Sequence, residues 1–153
     1  MKSRRKFVIR RLLFAISISA ILAATSGCAV NRASATLMPD ADLTKVKSVY
    51  VVHQPADKNG VDQAIKDALT KRGLTATVGP AITPPYPADA VITYVDKWMW
   101  DLTMYLLELT VTVRAPVNEF PLATGNSLHT SLTRKSTKDM ADEVVTNIFT
   151  AKR

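Results

Sequence analysis

The sequence predicts an α+β domain: a mixed sheet of four to five strands with two helices on one face, in the order β-α-β-β-β-β-α. Three observations point there. Apolar residues recur at helical spacing in two stretches, near 60–73 and 136–153. Two long runs with period-two alternation, Ala90–Trp100 and Thr103–Arg114, are separated only by Asp101-Leu102, which reads as an antiparallel hairpin. A β-branched run before the first helix and a shorter one after it have the form of a parallel β-α-β unit.

Taken in order, Val46–His53 (VKSVYVVH) has apolar groups on both faces, as an interior strand requires. Asn59-Gly60 then opens a helix whose Val61, Ala64, Ile65, Ala68 and Leu69 form one stripe. Lys71 and Arg72 oppose the dipole in its last turn, and Gly73 is a left-handed stop. Leu74–Val78 is a short second strand. The loop after it, with Pro80, Pro84, Pro85 and Pro87 around Tyr86, is incompatible with a helix interior or a central strand.

For a two-residue turn, the hairpin register sets Trp98 opposite Tyr105, Asp96 opposite Leu107, Tyr94 opposite Leu109 and Ile92 opposite Val111. One face then carries Ile92, Tyr94, Trp98, Trp100, Tyr105, Leu107, Leu109, Val111 and Val113, and wants helices on it. The other carries Thr93, Lys97, Glu108, Thr110, Thr112 and Arg114, mixed with Val91, Val95 and Met99. After a turn at Gly125-Asn126, Ser127–Arg134 reads as a polar edge strand. Ser136, with Asp139 three residues on, caps a closing helix whose buried stripe is Met140, Ala141, Val144, Val145, Ile148 and Phe149.

Ahead of this domain the N-terminus reads as an export signal over residues 1–27. A basic segment, MKSRRKFVIRR, precedes about 13 apolar and small residues, LLFAISISAILAA. At about 1.5 Å per residue that helix is short for a hydrocarbon core of about 30 Å. Thr25-Ser26-Gly27-Cys28 then resembles a lipobox, in which small side chains enter a peptidase cleft and the thiol accepts diacylglycerol. Thr25 stands where Leu is usual. Cys28 is the only cysteine, so it forms no internal disulfide, which suits a lipid-modified residue. Ser3-Arg4-Arg5-Lys6-Phe7-Val8 looks like the twin-arginine pattern, with a basic general-secretion signal as the alternative. Ala29 after the cysteine, rather than Asp, favours the periplasmic side of the outer membrane over inner-membrane retention. Residues 28–43 read as the lipidated cysteine and a flexible tether, and 44–153 as one domain.

The formal charge of +7 would suggest an anionic partner. Six of the 20 basic residues lie in the signal, however, and removing them leaves 14 against 13 acids. A near-neutral domain gains little from counterion release, so nucleic acid is not an expected partner.

DAVITYVDKWMWDLTMYLLELTV followed by HTSLTRKSTKDMADEVVTNIF resembles a group of short proteobacterial outer-membrane lipoproteins; with the signal this covers most of the chain. The element order is similar to that of the lipopolysaccharide-assembly lipoprotein and the N-terminal domain of TolB. These resemblances imply a fold and an envelope location, and no activity.

The sequence contains no H-E-x-x-H, Walker-type or G-x-S-x-G motif. His53 and His129 read as surface histidines, although His53/Asp57 and Ser127/His129 pairings are conceivable as sites. No catalytic residue, metal or cofactor is expected. Asp96 is conspicuous because the register points it into an aromatic face, where an unpartnered carboxylate is costly. With Trp98, Trp100 and Tyr105 it is the candidate binding group, since aromatics left uncovered form contact hot spots. The functional expectation is a non-enzymatic envelope module, membrane-anchored through Cys28, that binds a protein partner through the edge strand Ser127–Arg134 or the Pro-rich loop. The alternative is a carrier or sensor holding a lipid or small apolar ligand between sheet and helices.

Overall fold

A computed structural model describes residues 31–151. Arg4, Arg5, Thr25, Ser26 and Gly27, read from sequence as signal residues, and Cys28, read as the lipid acceptor, lie outside the described residues.

Six strands form one mixed sheet. They are β1 (Arg32–Leu37), β2 (Ser48–Val52), β3 (Thr75–Gly79), β4 (Ala90–Asp101), β5 (Thr103–Arg114) and β6 (Pro121–Leu128). Their spatial order is β1-β6-β5-β4-β2-β3, with each neighbouring pair from β1 to β4 antiparallel and β4, β2 and β3 parallel. Helix α1 (Val61–Lys71) links the parallel pair β2 and β3, and α2 (Thr137–Thr150) closes the chain. Both helices cover one face of the sheet.

The predicted helices stand. Val61, Ala64, Ile65, Ala68 and Leu69 of α1 are buried, and Gly73 stops the helix at φ 84°. Gly60 gives α1 no side-chain cap; Asp57, upstream, accepts from the Asp62 amide instead. Ser136 caps α2 by accepting from the Asp139 amide, as the spacing requires. Its Met140, Ala141, Val144, Val145 and Ile148 pack on Val111, Val113 and Ala123 of the sheet.

The sheet differs from expectation in three respects. It has six strands, because Arg32–Leu37, inside the segment read as tether, pairs antiparallel with β6 from Arg32↔Leu128 to Leu37↔Ala123. RASATL is small and polar since it is a half-exposed edge, so it lacks the apolar signal that marks an interior strand. Next, the last strand is Pro121–Leu128, not Ser127–Arg134, and β1 covers it; residues 131–133 form a 3-10 turn. Gly125-Asn126 is not a turn. Gly125 sits mid-strand because a Cβ there would stand 2.6 Å from Ile148 and 2.9 Å from Val144, so its absence lets α2 approach the sheet.

Finally, the hairpin register is shifted. Asp101 pairs directly with Thr103 around a turn at Leu102, whose φ is 59°, and a bulge intervenes between Lys97 and Trp98. Together they move the register by two, giving Asp96↔Leu109, Tyr94↔Val111 and Ile92↔Val113, so those side chains keep their predicted faces. Above the bulge the shift is one. Trp98 therefore opposes Leu106, and Tyr105 opposes Met99 on the other face.

Candidate functional site

The β4–β5 hairpin outruns its neighbours. Strand β2 accompanies β4 only from Ala90 to Ile92, and β6 accompanies β5 only as far as Glu108. Lys97–Leu107 thus forms a two-stranded arm at the end of the sheet. Trp100 pairs with Met104 near its tip, and both are exposed, as are Met99 and Leu102. A bare ribbon of this length is marginal on its own. Here the 3-10 turn braces it. The Arg134 guanidinium lies 4.7 Å from the Tyr105 ring centroid and donates to Thr103 Oγ1 at 2.7 Å and to the Asp101 carbonyl at 3.1 Å. Ser131 donates to the Asp101 carboxylate.

The four candidate binding residues are not one cluster. Asp96, expected to lack a partner, accepts from the Trp98 indole nitrogen at 2.6 Å, and Trp98 packs against the core. Tyr105 is buried under Arg134. Only Trp100 stands free of the fold, 69% exposed. The bulge and the one-residue turn separate them, and neither is encoded by an unambiguous local signal.

Polar residues that sequence reasoning passed over form three closed clusters. On the helix-free face, Glu108 accepts from Lys97 at 2.7 Å and Asn126 at 2.8 Å, and pairs with Arg32 at 3.3 Å. Hydrogen bonds from Lys97 and Asn126, and then the nearby cationic charges, outweigh burial and hold its carboxyl below the usual range. This ladder ties β4, β5, β6 and β1 together.

Between sheet and α2, Glu143 accepts from Ser127 at 2.6 Å, Lys135 at 2.6 Å and His129 Nε2 at 2.7 Å. Burial works to raise its carboxyl, but the three donors prevail and hold it down at about 2. His129 is buried, not a surface histidine, because β6 runs straight into the site and α2 covers it. Its Nδ1 has no partner among the described residues. Ser127 and His129 both turn to Glu143 rather than to each other, so the pair is not a nucleophile and its base.

At the N-terminus of α1, His53 contacts Asp62 at 2.7 Å, not Asp57 as its sequence spacing suggested. Asp57 accepts from the Tyr94 hydroxyl at 2.9 Å and from the Asn59 and Asp62 amides. Burial favours protonation of Asp57, yet those donors lower it; burial and the Asp57 partner together raise Tyr94. Among the described residues, no three His, Cys, Asp or Glu side chains are grouped as metal ligands.

Room for an apolar ligand between sheet and helices is taken up by side chains. Met140, Val144 and Ile148 are fully buried there, and Gly125 admits α2 to van der Waals contact. A hollow of about 440 Å³ opens at the margin between Leu37, Leu43, Ile148 and Phe149. No helix among the described residues is long and apolar enough to cross a membrane.

No protein-family model matches the sequence, and no curated protein matches it. Among solved structures, the chain is similar to the PelC dodecamer of Paraburkholderia phytofirmans, with TM-score 0.59 and 12% identity over 78% of this chain and 98% of that one. A point variant of the same protein gives 0.55 and 16% over 77% and 96%. This likeness spans almost the whole of PelC and concerns the fold. A minor lipoprotein of Acinetobacter baumannii is 18% identical over 66% of this chain and 91% of that one, at a TM-score of 0.33 that carries no argument.

Proposed function

We propose that this chain is a lipid-anchored envelope protein at the periplasmic side of the outer membrane that works by contact with other proteins rather than by catalysis. The observation that carries this reading is the contrast between its polar and apolar groups. Among the described residues, Glu108, Glu143 and Asp57 are each held by several donors. Large apolar side chains, by contrast, stand exposed at both ends of the sheet: the arm at one, and Val117 and Phe120 of the β5–β6 turn at the other. With Ser127–Arg134 not an edge strand and β6 covered by β1, the Pro-rich loop and the adjoining β5–β6 turn are the protein-contact surface; Tyr86 ties them by donating its amide to the Pro116 carbonyl at 2.9 Å. A second reading, in which the partner is another copy of the chain, is favoured by the likeness in fold to PelC, a dodecamer.

Two measurements test this. Metabolic labelling with a palmitate analogue marks the protein and is lost in Cys28→Ala; label that survives the substitution sinks the anchor. A photo-crosslinking residue at Phe120 captures one defined envelope species, absent when it is placed at exposed Gln63 on α1. Capture of the chain's own mass selects the self-assembly reading, and indistinguishable products from the two positions defeat the contact reading.

A further inference from the structure

The position of the chain's N-terminal exit bears on what the arm does. Strand β1 is antiparallel to β6 and begins at Arg32↔Leu128. Leu128 is the last residue of β6, opposite Glu108, where the arm leaves the sheet. The chain therefore enters the fold at the arm's end. Contacts connect the two directly: Thr133 Oγ1 donates to the Asn31 side chain, and the adjacent Arg134 holds Asp101 and Thr103 of the arm. Between them, in the same 3-10 turn, Leu132 is 86% exposed, and Leu102 at the arm's tip is 87% exposed.

Cys28 precedes Asn31 by three residues. Even fully extended, three residues span no more than about 11 Å. A lipid on Cys28 thus cannot be far from the arm, and the tether expected from sequence is cut to three residues because β1 begins at Arg32.

We propose that the arm and the 3-10 turn are a membrane-docking surface, with Trp100, Leu102, Met104 and Leu132 seated in the headgroup region of a phospholipid bilayer beside the acyl chains on Cys28. Trp partitions to this depth because its ring is apolar while its indole nitrogen finds a headgroup acceptor. Leucine and methionine side chains add apolar area that water otherwise covers. The brace from Arg134 matters, since an arm already held in place loses little conformational entropy on docking. Lys97 and Arg32 share Glu108 and Arg134 pairs with Asp101, so little net charge remains at this end and docking depends on apolar burial more than on anionic lipid. A second copy of the chain as occupant would leave the placement of the exit unexplained. The domain then sits on the bilayer and presents its Pro-rich end to the periplasm.

The proposal rests on Cys28 as the lipid-bearing residue, and the test separates the two. The chain from Cys28 onward, which contains every strand and helix described, is coupled through its single thiol to a maleimide lipid in phosphatidylethanolamine–phosphatidylglycerol vesicles. This supplies the anchor whether or not the cell does. Trp100 fluorescence is taken as the emission that disappears in Trp100→Phe. On coupling, it shifts to the blue and is quenched by lipids brominated near the headgroup, and Leu102→Asp with Leu132→Asp abolishes both effects while leaving the circular dichroism unchanged. Emission that keeps its aqueous wavelength and escapes the brominated lipid overturns the proposal. So does a blue shift that arises without vesicles, rises with protein concentration and tracks an oligomer in sedimentation, which assigns the surface to a second copy. Absence of palmitate label on the parent chain in cells, or label that survives Cys28→Ala, defeats the anchor reading alone.

Discussion

Glu143 illustrates how one side chain fixes the junction of three elements. Ser127 on β6, His129 just beyond it and Lys135 before α2 all donate to its carboxylate. Removing the charge weakens every one of those bonds while leaving buried donors behind, so Glu143→Gln is expected to cost about 1–3 kcal/mol at neutral pH. The pH dependence has a definite sign. The folded carboxyl titrates at about 2 against 4.5 for the free group, so its contribution is complete above about 4.5 and is lost as pH falls toward 2. Urea unfolding followed from pH 5 to pH 2.5 should therefore show less acid sensitivity in Glu143→Gln than in the parent. Identical slopes would mean that Glu143 is not held by these donors.

Among the elements, the hairpin arm owes its geometry to a turn that the sequence does not favour. Leu102 adopts φ 59°, a left-handed conformation that costs a non-glycine residue roughly 1–2 kcal/mol, and its exposed side chain gives nothing back to the fold. Glycine relieves that strain but adds about 0.4–1 kcal/mol of unfolded-chain entropy to be lost. Leu102→Gly should therefore leave stability unchanged or raise it by up to about 1 kcal/mol, whereas Leu102→Ile should lower it, both read from the urea midpoint. A large loss in the glycine variant would contradict the turn. That a strained, exposed leucine occupies the tip is consistent with selection for contact over stability, which is the use assigned to the arm above.

For the whole molecule, β1 decides where the domain begins. It covers β6 along its length and carries Ala35 and Leu37 against the core. A chain beginning at Thr44 would leave the backbone of Pro121–Leu128 open as a pairing edge. It should unfold at lower urea than the chain from Cys28 and associate with rising concentration in sedimentation. Equal stability and a strictly monomeric product would show that β1 is dispensable. Much of the remaining architecture was legible: the stripes of α1 and α2, the Ser136 cap, the parallel β2-α1-β3 unit and the division of the hairpin into an apolar and a polar face. Each rests on a periodicity that neighbouring residues repeat.

The sequence by itself determined the α+β class and both helices with their buried faces, because these are written in local repeats and composition. Only the tertiary structure decided the rest. It assigned RASATL to an edge strand, placed Gly125 under α2 where a turn was expected, buried His129, gave Asp96 the Trp98 indole as partner and scattered the aromatic residues that sequence had grouped. It also brought the N-terminal exit beside the arm. Apart from the local Asp96–Trp98 contact, those features depend on contacts between residues 14 to 102 positions apart, on one bulge and on a one-residue turn. Such contacts are selected by close packing among elements that already exist, and no short stretch of chain encodes them.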